Sequence, residues 1–382
     1  MFFKNKNSEL FENSNSDEDV NILVGINGSG KSTLLNEIAK YHLNNGKTVI
    51  CIANTIYDKF TVKGNKARLL KSSRGKNVVR ESIKKVINLF ENQDNKALFN
   101  LSNVFNYIKF HPVIEFKIHH LAPNFRDLII DSSIFNSIEK EDLLFFLNRS
   151  YDHFLIEDES KFIIDFDRDN LFDANRNVFF LKILNYETKL RRLKILKKID
   201  IILVKDGVSF SLNQASSGEL TLIASLIYIS ANINDESVIL IDEPENSLHP
   251  KWQVEYVKKL SELFYFYQPK IIIATHSPLV INGAELIVNN VNIFKGVSYN
   301  KFVKQPKDLK NVEEIYDDYF DVTTPENRFV SQFVIEKFNL LSENKLSYKS
   351  FKDIIDNLVK NSYDDQQKEA LNGILELASN LA

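Results

Sequence analysis

The run Gly25-Ile26-Asn27-Gly28-Ser29-Gly30-Lys31-Ser32 satisfies every fixed position of the pattern G-x-x-x-x-G-K-[ST]. Residue types at this spacing suit one task, holding phosphate. Glycine lets the backbone curl so that successive N–H groups converge on an anion. A helix starting here adds partial positive charge from its N-terminus. Lys31 supplies a point charge for terminal phosphates, and the Ser32 hydroxyl supplies a hard oxygen for Mg²⁺. Asn27, Gly28, Ser29, Gly30, Lys31, Ser32 and Thr33 are the expected nucleotide-binding residues. The loop alone does not say what the nucleotide is used for.

Two acids and a histidine offer the remaining chemistry. Val238-Ile239-Leu240-Ile241 runs directly into Asp242 and Glu243. Four apolar residues make a buried strand whose end delivers Asp242 beside the loop, where a carboxylate joins Ser32 in holding Mg²⁺. Glu243 then stands where it can orient or deprotonate an attacking water as general base. Ile271-Ile272-Ile273-Ala274 is another apolar strand, and it ends in Thr275-His276-Ser277-Pro278. His276 can reach the γ-phosphate edge and help report nucleotide state, and it is a catalytic candidate alongside Glu243. Pro244, Asn246, Ser247, Leu248 and His249 set the first stretch apart from a strand that merely ends in acids. His111, His119 and His120 lie near one another without carboxylate or cysteine partners at metal-ligand spacing, so no metal site is expected there.

These residues need a frame. Asp19–Val24 reads as the strand entering the loop and Thr33–Lys40 as the helix leaving it, with Lys47–Ala53 a second buried strand. Residues 63–85 carry nine basic residues against one acid, Glu81, and Gly64, Ser72, Ser73 and Gly75 make their first part loop-like. Such a segment suits nucleic-acid phosphates or a solvated loop equally. Apolar spacing from Ile83 to Phe110 predicts one or two helices, and Val113–Ile118 alternates like a half-buried strand. Glu139–Tyr151 reads as helix and Phe162–Phe166 as strand. Asn175–Lys198 reads as a helix with a basic end, where Arg191, Arg192 and Lys194 are candidate nucleic-acid contacts or a solvated face. Asp206-Gly207 between two apolar runs signals a hairpin. Leu220–Ala231 and Trp252–Tyr267 read as helices, the latter with Pro250 near its start. Glu285–Phe294 is expected to hold one or two strands, and residues 301–311 a loop. Thr324-Pro325 marks the start of the helices that fill the remainder.

A length of 382 residues suggests two or three domains. A net charge of −3 gives no whole-chain signal for a polyanion, so any basic surface must be local. The single cysteine, Cys51, excludes an internal disulfide and fits a reducing cytosol. Met-Phe-Phe-Lys lacks the apolar run of a signal peptide, and Leu220–Ile233 is too short and polar for a span that needs ~20 apolar residues. A cytoplasmic protein without a membrane partner is expected.

Taken in order, the motifs resemble those of ABC-type ATPases. Gly25–Ser32 resembles Walker A, Ser216-Ser217-Gly218-Glu219 the signature motif, and Val238–Glu243 Walker B. Glu245–His249 resembles the D-loop and His276 the switch histidine. The resemblance implies an α/β P-loop NTPase of ABC ATPase type, with a mixed central sheet, a large α+β insertion and a helical C-terminal tail. Residues 1–60 and 201–300 would form the ATPase domain, 61–200 an inserted helical and strand lid, and 301–382 a helical C-terminal region. It also implies ATP and Mg²⁺ as cofactors. The implied assembly is a homodimer in which Ser216, Ser217, Gly218 and Glu219 of one copy contact the γ-phosphate held by the other.

Within that family, the long stretch from Lys31 to Ser216 and the Ser-Ser-Gly-Glu signature depart from transporter subunits. Asp242–Pro250 with Ala274–Pro278 looks like the RecF and SMC side. It looks most like the compact ATPases of anti-phage systems: the overcoming-lysogenization-defect proteins, Gabija, PARIS, Septu and retron-associated types. That likeness implies a regulator of a nucleic-acid-directed defence complex, with an ATP-clamped scaffold or a RecF-like DNA-repair ATPase as alternatives. Asp317-Asp318 and Asp364-Asp365 sit in polar, helix-like segments, unlike the strand-end acids of a Toprim nuclease. The expected effector is therefore a separate nuclease or toxin, and DNA or RNA is a further expected partner.

Overall fold

The computed structural model describes residues 8–12, 19–55, 59–71, 80, 82–83, 85, 95–156, 159–166, 183–212, 217–246, 248–288, 290–307, 310–323, 328–362 and 364–379. The chain begins with α1 (Ser8–Phe11), β1 (Asp19–Val24), α2 (Lys31–Asn44), β2 (Val49–Ala53) and β3 (Ala67–Lys71). A middle region follows with α3 (Asn95–Tyr107), β4 (Val113–Leu121), α4 (Phe125–Ile130), α5 (Ser137–Ile156), β5 (Glu159–Asp165), β6 (Leu196–Lys205) and β7 (Val208–Ser211). The chain then forms α6 (Ser217–Ser230), β8 (Val238–Asp242), α7 (Pro250–Phe264), β9 (Lys270–Thr275), α8 (Pro278–Ile287), β10 (Val291–Ser298) and β11 (Lys301–Lys304). It ends with α9 (Val312–Phe320), α10 (Arg328–Ser342), α11 (Tyr348–Asn361) and α12 (Asp365–Ser379).

β1, β2, β8 and β9 are buried along their whole lengths, as parallel strands covered on both faces must be. They sit inside a sheet of order β11-β10-β1-β9-β8-β2-β3, parallel except for the β10–β11 pair. Alternation sends Leu23, Val49, Cys51, Leu240 and Ile272 to one face, where Leu34, Leu35 and Ile38 of α2 cover them. Ile22, Ile50, Ile239, Ile241 and Ile273 point the other way, into a core shared with α6, α7 and α8. That core continues into a second, antiparallel sheet of order β5-β4-β6-β7 through Phe116, Ile118, Ile199, Ile201 and Leu203. The last three helices close on a core of their own, around Phe351, Ile355 and Leu371. Among the described residues no helix is long and apolar enough to cross a membrane.

Four local expectations need correction. Residues 67–71 are not loop: they form β3, paired in parallel with β2, so the main sheet extends past residue 61. The basic helix stops at residue 192; Lys194 takes φ 57° and the Ile195 N–H bonds back to Leu190 O at 2.9 Å, closing the helix end. Lys197 and Lys198 consequently lie on β6. Glu285 is helical, because Ser277 caps α8 and Pro278 starts it, and the apolar run continues to Ile287 before β10 begins. Residues 301–304 form β11, with Phe302 turned into the core and its neighbours exposed. The helix start at Thr324-Pro325 lies outside the described residues.

Candidate nucleotide-binding site

The strand order explains the site. β9 lies between β1 and β8, so the segments leaving all three strands meet at one edge of the sheet. The segment after β1 is the phosphate loop. Gly30 takes φ 95° at the cap of α2, a conformation suited to glycine, and the Leu34 N–H bonds to its carbonyl at 2.9 Å. The space where a side chain on Gly30 would go is filled by Asn300, from the β10–β11 turn, whose N–H donates to Ser29 O at 2.8 Å. Ser29 Oγ is buried without a hydrogen-bond partner among the described residues. Lys31 folds back along the loop, donating to Gly25 O at 2.8 Å.

The segments after β8 and β9 bring the acids and the histidine. Asp242 is 1% exposed and is hydrogen-bonded to the Ser32 hydroxyl, while its Oδ1 has no partner among the described residues. A buried carboxylate oxygen left open beside a serine hydroxyl is the donor set that suits Mg²⁺. Glu243 takes φ 52° and its N–H donates to Ala274 O at 2.8 Å. His276 Nδ1 lies 3.5 Å from Lys31 Nζ, and His276 Nε2 lies 3.6 Å from Glu243 Oε1. Glu245 accepts from the His276 N–H at 2.6 Å, which pins the histidine loop to the segment after β8. Glu243, His276 and Asn27 line a cleft of about 510 Å³ together with Gln253 and Tyr316.

Burial sets the charges here. It lowers Lys31 to about 8, against the opposing pull of Glu243, Asp242 and Glu245. It raises Asp242 to about 6, opposed by the Ser32 bond and reinforced by the Glu243 charge. His276 is held below its ordinary range, first by burial and then by the Lys31 charge, which favours the neutral ring. A lysine ammonium is only a donor, so Nδ1 accepts and the ring proton sits on Nε2, toward Glu243.

Other expected residues lie elsewhere. Ser216 and the Ser217 side chain fall outside the described residues, while Gly218 and Glu219 open α6. Glu219 is held within the same chain by Lys205 at 2.7 Å. Arg191, Arg192 and Lys194 are exposed on the middle region, apart from the cleft. His119 pairs with Asp200 at 2.9 Å, and among the described residues no three potential ligands gather as a metal cluster. Glu245 and Asn246 stand in the stretch that resembles the D-loop, and the structure adds their hydrogen bonds to the His276 N–H and to Glu243, which the motif does not specify. Asn300 and Tyr316 left no signal, because the pattern fades after Gly296.

The parallel sheet, the loop between β1 and α2 and the acids ending β8 together define a P-loop NTPase fold. The chain belongs to the family described as "AAA domain, putative AbiEii toxin, Type IV TA system", which matches residues 67–282, just over half of it. It is 30% identical over 176 residues to the Retron Vc95 probable ATPase of Vibrio cholerae, covering 41% of this chain and 34% of that protein. Against the Retron Ec83 probable ATPase of Escherichia coli it is 30% identical over 38% of this chain and 28% of the relative. It is 43% identical over 54 residues to the Septu protein PtuA of Bacillus mycoides, covering 14% of this chain and 7% of that protein. The matched part thus spans about a third or less of these relatives.

Proposed function

We propose that this chain is an ATPase of a phage-defence assembly, in which two copies close around two ATP·Mg²⁺ and slow hydrolysis releases them. The observation that carries this reading is the meeting of Lys31, Asp242, Glu243 and His276 at one edge of the sheet. The Asn27–Thr33 backbone and the Lys31 ammonium bind the phosphates, and Ser32 with Asp242 holds Mg²⁺. When bound, that ion neutralises charge developing on the terminal phosphates. Glu243 accepts the proton of the attacking water, and His276, neutral with its proton on Nε2, keeps Glu243 and Lys31 from pairing directly. Ser216, Ser217, Gly218 and Glu219 reach the γ-phosphate bound by the other copy, so the site is complete only in the dimer.

The retron and Septu relatives support a defence role with a separate nuclease or toxin as effector. Arg191, Arg192 and Lys194 are exposed and have no acidic partner among the described residues, which supports a contact to DNA or RNA phosphates. Light scattering on Glu243→Gln with ATP and Mg²⁺ tests the dimer: twice the monomer mass is expected, and Lys31→Ala should stay monomeric. A monomer of Glu243→Gln at saturating ATP contradicts the reading.

A further inference from the structure

Asn246 follows Glu243 on the tight segment leaving β8. Its Nδ2 donates to Glu243 Oε2 at 2.9 Å and to Asn54 O at 3.4 Å. Both partners are acceptors, a carboxylate oxygen and a main-chain carbonyl. The amide is therefore oriented one way only, with its two hydrogens turned to those two oxygens.

The surroundings hold this arrangement from both sides. The Asn54 N–H donates to Asp242 O at 3.1 Å, fixing Asn54 to the end of β8. The Asn246 N–H donates to Glu243 O at 3.3 Å, and the Glu243 N–H to Ala274 O at 2.8 Å. The Glu243 backbone is thus set at φ 52°, but its side chain still has three rotatable bonds. Tying down Oε2 removes that freedom and leaves Oε1 on the side of His276 Nε2, 3.6 Å away, and of the cleft.

We propose that Asn246 is a positioning residue for the general base: its amide clamps Glu243 Oε2 and so presents Oε1 to the water that attacks ATP. The proposal rests on the reading of Glu243 as base. It assigns a role within one copy to a residue of the segment that resembles the D-loop. The role demands a donor, and aspartate, of nearly the same shape, cannot supply one and adds a like charge beside Glu243.

Single-turnover ATP hydrolysis by the full chain tests it, with affinity for a fluorescent ATP analogue and Mg²⁺ measured separately. In Asn246→Ala the hydrolysis step should slow by ~10- to 100-fold, the scale lost when a reacting group is misplaced, while affinity stays within about twofold. Asn246→Asp should slow at least as far despite keeping the shape. A wild-type rate in either variant overturns the proposal. So does parallel loss of rate, affinity and thermal midpoint in both variants, which is what a purely structural residue would give. Glu243→Gln, run alongside, separates the two claims. Wild-type turnover there overturns the base itself, whereas a slow Glu243→Gln beside fast Asn246 variants overturns the clamp alone.

Discussion

His276 Nε2 stands 3.6 Å from Glu243 Oε1, while the opposite ring nitrogen faces Lys31 Nζ at 3.5 Å. The imidazole separates the cation assigned to phosphate from the carboxylate assigned to water. Without it the two charges could pair directly, and each would be lost to its task. His276→Ala is expected to cut turnover by ~10²-fold with little change in ATP affinity. His276→Gln, which keeps a donor toward Glu243, should recover part of the loss. Phosphate release by the three proteins decides the point, and equal rates would contradict it.

His42 on α2 is 2% exposed. Burial, aided by the charges of Lys270 and Lys47, lowers its imidazole from 6.5 to about 4. Between these values the unfolded chain binds a proton that the folded chain refuses, so stability rises with pH across the window and falls on acidification. The shift corresponds to about 3 kcal/mol, present in full above pH ~6.5 and lost toward pH ~4. In His42→Gln the thermal midpoint should fall less between pH 7.5 and 4.5 than in the wild type. Parallel curves would count against this account.

Gly283 on α8 packs against the backbone of α7, and an added Cβ would overlap the Val254 carbonyl oxygen. Alanine is the better helix former by about 1 kcal/mol. Overpacking between two buried helices costs about 1–3 kcal/mol and should win. Gly283→Ala is expected to lower the urea midpoint, and an unchanged or raised midpoint would show that the helices can part without loss.

Much of this architecture was legible in the sequence where one signal dominated. Val238–Asp242 and Ile271–Thr275 read as buried strands because their side chains are apolar on both faces, and both lie inside the sheet. Asp206-Gly207 marked its hairpin through two positive-φ positions. The reading failed where packing outweighed local composition. Gly64, Ser72, Ser73 and Gly75 within a basic stretch made β3 look like loop, yet Leu70 is buried at the sheet edge and β2 supplies a partner. Lys301 and Lys304 hid β11 in the same way, with Phe302 as its buried anchor. In the site, Lys31, Asp242 and Glu243 were readable from motif and strand end. Asn246 meets Glu243, three residues before it, only because the chain turns tightly after β8, and Asn300 comes to the loop from a turn over 250 residues away, so neither contact could be read from composition.

The proposed hydrolysis depends on activation of water by Glu243 in the cleft it shares with His276, beside Lys31 and Asp242. Single-turnover phosphate release by wild type and Glu243→Gln, at saturating ATP and Mg²⁺, tests it most directly. Release by the wild type is expected, with a rate at least ~10²-fold lower in the variant while ATP stays bound. Equal release by both would contradict the assignment of Glu243. No release by either would replace the hydrolytic reading with that of an ATP-clamped scaffold.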